Sequence, residues 1–236
     1  MTGTEPSTLS DQPQVDAWAQ QHSTDSAEAL IRWAGLEFGP KLALTCSFGG
    51  ASGMVLLDLV LKHAPQTPVY VIDTEVLFAE TYDTIRKVEK QYGISVRFSK
   101  PEFTIDAQAQ TFGPELWTRD PNQCCDIRKV QPLRRTLSGY RAWLTAIRRD
   151  QSTTRAQTPL VSWGKNNNVV KLCPLAAWTE EDVWGYVYAN DVPFNPLLKE
   201  GYPSLGCTHC TKKADPNDPR SGRWAGTGKI ECGLHG

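Results

Sequence analysis

Short apolar runs alternate with longer amphipathic stretches along most of the chain, and this alternation predicts the architecture. Helical spacing of apolar positions appears in Val15–Trp18 and again in Ala27–Trp33. Leu42-Ala-Leu-Thr-Cys46 reads as a buried strand, Ser47-Phe-Gly-Gly-Ala-Ser-Gly53 as a small-residue turn, and Met54–His63 as an apolar helix. Pro68-Val-Tyr-Val-Ile-Asp73 predicts a second strand, Ala79–Tyr92 a helix and Ile94–Phe98 a third strand. A helix over Asp126–Leu137 then leads to a fourth strand at Arg141–Ile147. Strands alternating with helices at this spacing imply βαβ units and an α/β fold with a mostly parallel sheet flanked by helices. Further on, Thr179-Glu-Glu-Asp182 reads as a capping box with Asp in place of the usual Glu. Trp178 and Val183 sit at the staple positions, so a helix starts at Glu180 and runs to about Asn190. After Pro203 the periodicity dissolves into Gly, Pro, Lys and Cys. The expected organisation is a mobile lead at 1–14, a single α/β domain at 15–205, and a Cys-bearing loop and flexible arm at 206–236.

Composition narrows the class. With 236 residues, 40% hydrophobic and 22% charged, the chain can bury a sizeable core. Eight Trp and seven Phe argue against disorder. No apolar run approaches the ~20 residues of a bilayer span. The first 30 residues have no cationic and apolar leader pattern, so a cytoplasmic protein is expected. The formal charge of −1 hides an asymmetry: residues 1–118 carry 8 Lys/Arg against 15 Asp/Glu, and residues 119–236 carry 17 against 11. A nucleic-acid binder would be more uniformly basic. A basic half with clustered Arg suits a small anionic ligand instead.

Seven cysteines stand at 46, 124, 125, 173, 207, 210 and 232. Without an export signal they point to metal binding or catalysis rather than a disulfide framework. Cys124-Cys125 together with Cys207-Thr-His-Cys210 supplies four thiolates, which complete either a Zn²⁺ site or an iron–sulfur cluster. Adjacent thiolates would bind different irons of a cluster, and a redox disulfide between Cys207 and Cys210 is the competing reading. Cys46 and Cys173 are assigned to packing. Cys232 lies in Glu231-Cys-Gly-Leu-His235 near three glycines, Gly226, Gly228 and Gly233. A mobile thiolate there could visit a pocket and then a partner's thiol.

Two further groups favour anions. The turn Ser47–Gly53 follows the first strand, where open α/β sheets place ligands, and its glycines let amides approach an anion. It lacks the Gly-Lys-[Ser/Thr] ending of a Walker loop. Asp73-Thr74-Glu75, after the second strand, would face the same crevice or cap a helix. Arg148-Arg-Asp-Gln-Ser152 with Arg155, and Arg220-Ser-Gly-Arg223, offer planar donor forks for tetrahedral oxyanions. Lys129 lies one helical turn beyond Cys125 if that helix is regular.

Together these stretches resemble the assimilatory sulfonucleotide reductases. The resemblance is carried by Ser47-Phe-Gly-Gly50, Ile72-Asp-Thr-Glu-Val-Leu-Phe-Ala-Glu-Thr-Tyr82 and Cys124-Cys-x-x-Arg-Lys129. Arg148-Arg-Asp-Gln-Ser-x-x-Arg155, Cys207-x-x-Cys210, Arg220-x-x-Arg223 and Lys229-Ile-Glu-Cys-Gly-Leu-His235 extend it to the chain's end. It implies a Rossmann-like fold similar to the PP-loop adenine-nucleotide enzymes. It also implies a [4Fe–4S] cluster held by Cys124, Cys125, Cys207 and Cys210, and Cys232 as nucleophile. Lys129, Arg148, Arg155, Arg220, Arg223 and His235 correspond to groups around the phosphosulfate. Ser47, Phe48, Gly49 and Gly50 correspond to the nucleotide loop, with Asp73 and Thr74 beside it. Many relatives carry a carboxylate after the loop's Gly-Ala, where this chain has Ser52-Gly53.

Members with both cysteine pairs resemble the iron–sulfur type that reduces adenosine 5′-phosphosulfate (APS). Those lacking the pairs use the 3′-phosphorylated nucleotide. The expected reaction is reduction to sulfite and AMP through an S-sulfocysteine on Cys232, with thioredoxin as reductant. Neither nucleic acid nor membrane is an expected partner, and homo-oligomer formation is left open. The alternative is a 3′-phosphoadenosine 5′-phosphosulfate reductase or a dual-substrate enzyme, and two more distant rivals use parts of the same pattern: an ATP-consuming PP-loop transferase and a non-enzymatic metal-binding regulator.

Overall fold

The computed structural model describes residues 12–215, 217–227, 229 and 231–234. Six strands form one sheet: β1 (Leu42–Thr45), β2 (Val69–Ile72), β3 (Arg97–Ser99), β4 (Ala142–Leu144), β5 (Val161–Gly164) and β6 (Val169–Leu172). Their order is β3-β2-β1-β4-β6-β5. Every pairing is parallel except that of β5 with β6 at the edge. The helices are α1 (Gln12–Gln21), α2 (Ala27–Phe38), α3 (Ala51–His63), α4 (Ala79–Tyr92), α5 (Ile105–Phe112), α6 (Leu116–Arg119), α7 (Pro121–Cys125), α8 (Gln131–Leu137) and α9 (Glu180–Ala189). None is long and apolar enough to cross a membrane.

The α/β architecture with a mostly parallel sheet is as the hydrophobic pattern predicts. The differences are local. Helix α3 starts at Ala51 rather than Met54, β3 lies at Arg97–Ser99 rather than Ile94–Phe98, and β4 is shorter than Arg141–Ile147. The helix expected from Asp126 already begins at Pro121, so the paired cysteines lie inside it. Residues 1–11 of the predicted lead lie outside the described residues, and α1 takes up Gln12 onward. The hairpin of β5 and β6 is an addition to the predicted elements.

Strand periodicity explains the two faces. Leu42 and Leu44 of β1, with Ala142 and Leu144 of β4, point into the larger core, which they share with residues of α1, α2, α3, α4 and α9. Ala43 and Trp143 point the other way and meet Leu133 and Leu137 of α8. From β1 the chain builds outward through β2 to β3, then returns to lay β4 on the opposite side of β1. Loops leaving β1 and β4 therefore diverge, and the crevice of a topological switch point opens between them.

Asp58 ties the larger face together. It is buried on α3 and accepts hydrogen bonds from Tyr92 of α4 (2.9 Å) and Tyr186 of α9 (2.6 Å), and pairs with Lys62 at 2.7 Å. Burial, then the bond to Asp58, raises the pKa of both phenols, so each remains a donor. Asp58→Ala should cost about 2–3 kcal/mol, the range for lost charge-assisted hydrogen bonds. Urea unfolding should accordingly show a lower midpoint with an unchanged slope.

Candidate active site

The turn after β1 is held by its backbone. Phe48 adopts a left-handed φ of 53°, unusual for a bulky residue, and its ring is fully buried. Asn195, itself buried, donates to the Phe48 carbonyl (3.2 Å) and to Thr81 Oγ1 (3.1 Å), which locks that conformation. Gly49 passes so close to the next segment that a Cβ there would lie 2.9 Å from Leu205 Cβ. Gly50 is the extended N-cap of α3 and offers no side-chain cap, so the first amides of α3 face the cleft. Small residues at 51–53, read as turn, instead form that first helical turn, where a Cβ on Gly53 would already lie 3.2 Å from Cys46 Sγ. Ser47, Gly49 and Gly50 line the cleft; the Phe48 ring does not.

The turn after β2 repeats the device. Glu75 has φ 62°, and Asp73 Oδ1 accepts from Glu75 N (2.9 Å) and from the Tyr82 hydroxyl (2.7 Å). The Asp73 carboxylate is thus spent on the turn and does not line the cleft, whereas Thr74 does.

The two cysteine pairs, more than 80 positions apart in sequence, converge. Cys207 bridges to Leu77, and Thr208 N donates to Val76 O (2.8 Å), which lays the 207–210 segment along the β2 exit. Cys124, Cys125, Cys207 and Cys210 then line one small cavity with Arg128 and Lys129. All seven cysteines are free thiols, including Cys207 and Cys210, and Cys46 and Cys173 are buried as assigned. Burial, reinforced by neighbouring thiols, pushes Cys124 and Cys210 up to about 11. Among the described residues no three His, Cys, Asp or Glu converge at single-ion spacing; the four thiols surround a space instead.

Proline shapes this helix. Pro132 has no N–H for the Arg128 carbonyl, and the helix widens to a π turn over Asp126–Val130, with Gln131 N donating to Asp126 O. The wide turn keeps Arg128 and Lys129 on the side of Cys124 and Cys125. Arg128 is 1% exposed and fully engaged: it donates to Thr74 O (2.8 Å), Phe103 O (3.2 Å), Gln108 Oε1 (3.3 Å) and Glu75 Oε2 (2.9 Å). Lys129 lines both the thiol cavity and the main cleft. Burial works against its charge, but the thiols of Cys207 and Cys232 outweigh burial and leave its pKa raised.

The main cleft has a volume of about 390 Å³ and gathers Arg148, Arg155, Arg220, Arg223 and Cys232 together with the α3 N-terminus. Arg148 is buried and forked to Asp150 (2.9 and 3.1 Å), with Glu180 at 3.2 Å and Ser52 also in contact. Arg155 grips Glu231 through Nε (2.9 Å) and Nη2 (2.7 Å), and Arg220 reaches the same carboxylate at 3.4 Å. Burial acts to raise the Glu231 carboxyl, but Arg155 and then Arg220 outweigh it and hold it below the usual carboxylate range. Arg223 donates to Leu205 O (3.0 Å) and lies 4.5 Å from the centre of the buried Trp224 ring, which Lys129 and Lys229 also approach. A Cβ on Gly206 would overlap the Arg223 guanidinium, so this approach needs glycine. Leu234 packs on the face of Trp143 and Leu133. His235 lies outside the described residues.

Sequence reasoning gave Asn195, Arg128, Trp224 and Glu231 no separate role. Arg128 and Glu231 lay inside the quoted motifs, but an ordinary Asn-Pro step carries no signal that it locks a turn 147 positions away.

Helix amides opposed by cations at a switch point are the arrangement of nucleotide-binding α/β proteins. Known proteins narrow that class. Residues 41–213 match the family described as "Phosphoadenosine phosphosulfate reductase domain", and this chain belongs to that family. It is 48% identical over 208 residues to a Lysinibacillus sphaericus protein named adenosine 5′-phosphosulfate reductase, covering 87% of this chain and 89% of that one. The crystal structure of a phosphoadenylyl-sulfate reductase from Candida auris superposes with a TM-score of 0.74 at 30% identity, covering 89% of this chain and all of the other. A Candida glabrata FMN adenylyltransferase shares the fold alone, with a TM-score of 0.57 at 20% identity over 92% of this chain and 70% of that one.

The Gly49 contact sets an expectation. Gly49→Ala should displace the Leu205 segment and cost about 1–3 kcal/mol, as overpacking does. Differential scanning calorimetry should register a lowered Tm.

Proposed function

We propose that this chain reduces adenosine 5′-phosphosulfate to sulfite and AMP in sulfate assimilation, in the cytoplasm, with thioredoxin as the dithiol reductant. One observation carries the reading: the Cys232 thiol and four arginines line the same cleft as the uncapped N-terminus of α3. The relatives named adenosine 5′-phosphosulfate reductase support the substrate.

The reaction needs two anions to meet. Cys232 thiolate attacks the sulfur of the phosphosulfate, the S–O bond to the phosphate breaks, and AMP leaves with the electron pair. The product on the arm is S-sulfocysteine. A thioredoxin thiolate then attacks Cys232 Sγ and releases sulfite. Its second thiol resolves the mixed disulfide, which leaves oxidised thioredoxin and the free Cys232 thiol. Repulsion between thiolate and sulfo group is the main obstacle, and Lys129, Arg155, Arg220 and Arg223 are the groups that offset it. A well-placed donor facing developing charge contributes about 3 kcal/mol. Arg220→Ala should therefore lower kcat/KM by roughly a hundredfold. Ser47, Gly49 and Gly50 amides, with Thr74, would hold the nucleotide, and Arg148 would sit beside it. The ring of Phe48 and the carboxylate of Asp73 act through the shape of the two turns.

The four thiols fit an iron–sulfur cluster. Adjacent thiols around a cavity, of which Cys124 and Cys210 are disfavoured as bare thiolates by burial and by neighbouring thiols, suit a polynuclear centre better than one tetrahedral zinc ion. Cys124, Cys125, Cys207 and Cys210 would hold it. When bound it supplies soft cationic iron that keeps these thiolates ionised. Lys129, between the two cavities, carries positive charge from that side toward the cleft.

Incubating the protein with ³⁵S-labelled APS and no thioredoxin should place label on the Cys232 peptide, and sulfite should appear only when thioredoxin is added. Label elsewhere, or sulfite release undiminished in Cys232→Ser, would refute the assignment. Parallel assays with the 3′-phosphorylated nucleotide decide which substrate is used. Anaerobic protein should be brown and absorb near ~400 nm; Cys207→Ala should lose that absorption.

A further inference from the structure

Glu231 stands next to Cys232, yet its carboxylate is turned into the arginine clamp. Both oxygens are gripped by the edge of Arg155, at 2.9 and 2.7 Å. Arg220 lies at 3.4 Å from one oxygen and Thr154 Oγ1 at 3.4 Å from the other. A guanidinium edge offers two parallel N–H groups, and a carboxylate fills it as two oxygens of a sulfate or phosphate would. Gln151 takes a third donor of Arg155 at 2.6 Å, which fixes the plane of the fork. The carboxylate and a second anion cannot share that edge.

We propose that Glu231 is a latch: it occupies the anion subsite of Arg155 and Arg220 and is displaced by the anionic group of the nucleotide, which frees the arm bearing Cys232. The inference rests on the functional reading above, because it takes these arginines as the place of the phosphosulfate.

Three features distinguish a latch from a permanent structural pair. First, Glu231 belongs to the arm itself, so its release moves the segment that carries the thiol. By contrast, the partners of Arg148 come from its own turn and from α9, and their pairing holds no arm. Second, the pair is only partly covered, with Arg155 15% and Glu231 28% exposed, so an incoming anion can reach it. A fully buried pair would exchange only with a large desolvation cost. Third, the rest of the described arm is lightly held. Leu234 rests on the Trp143 patch, and Lys229 donates to the exposed Asn122. Among the described residues of the arm, Glu231 forms ion pairs, and breaking that contact removes them while Lys229 keeps its place near Asn122 and the Trp224 ring. Substrate entry and release of the nucleophile thereby become one event, so the thiol is set free only when there is a sulfo group to attack.

The test uses the full-length, cluster-loaded chain. In a Cys232→Ser background, where no covalent step follows, APS affinity is measured by calorimetry with and without Glu231→Gln. Removing a competing, partly exposed ion pair should tighten APS binding about fivefold. Separately, Cys232 alkylation by uncharged iodoacetamide is followed at its alkaline plateau, where the thiolate is fully formed and the neighbouring charge no longer matters. Glu231→Gln should be alkylated faster than the parent chain. Unchanged or weaker APS affinity overturns the latch. Tighter affinity without faster alkylation is a charge effect alone and overturns it equally. If Cys232→Ser fails to bind APS at all, the functional reading falls and the latch falls with it.

Discussion

Positive charge held ready in a partly buried cleft is the constraint on which the rest of this molecule depends. Arg148, Arg155, Arg220, Arg223 and Lys129 border one space, and like charges at such range repel. The chain answers by supplying internal anions to most of them. Asp150 and Glu180 neutralise Arg148, and Glu231 bridges Arg155 and Arg220. Arg223 instead rests on the face of Trp224. Such pairs add little net stability, because desolvation offsets their attraction. Their value is that the cations stay ordered and charged before any ligand arrives.

The scaffold bears the strain this requires at two matching points. The turns after the adjacent strands β1 and β2 each hold a non-glycine residue with left-handed backbone, Phe48 and Glu75. Each turn is pinned from outside: the first by Asn195, the second by Asp73 with Tyr82. Arg128 joins the second turn to the cysteine helix through Thr74 O and Glu75. The turn that brings Thr74 to the cleft and the cavity lined by thiols are therefore one mechanical unit. A change in either would be felt by the other through a buried guanidinium that has no slack.

The arm completes the cleft from its open side. The loops leaving the paired strands β1 and β4 diverge, and Leu234 of the arm packs on the face covered by α8, beside Trp143. Glu231 pairs with Arg155 and Arg220, while the neighbouring Cys232 lies close to Lys129, Cys125 and Arg220.

Local patterns were enough to determine the α/β class, four of the five parallel strands and the capped start of α9, and they singled out cysteines and arginines that the fold brings to one cleft. Each is written in neighbouring positions: alternation for strands, a capping box for a helix, Cys-x-x-Cys and Glu-Cys-Gly-Leu-His for soft-ligand and thiol chemistry. The β5–β6 hairpin was hidden because its strands are short and interrupted by Asn-rich turn residues. The start of α3 was hidden because Ala-Ser-Gly carries little helical signal until Gly50 caps it. What only the tertiary structure decided were the partnerships across long separations: Asn195 with Phe48, Cys207 with the β2 exit, Glu231 with Arg155. The physical reason is that a long-range pair is selected by whatever geometry buries both groups at least cost, and that geometry exists only once the sheet has brought the loops together.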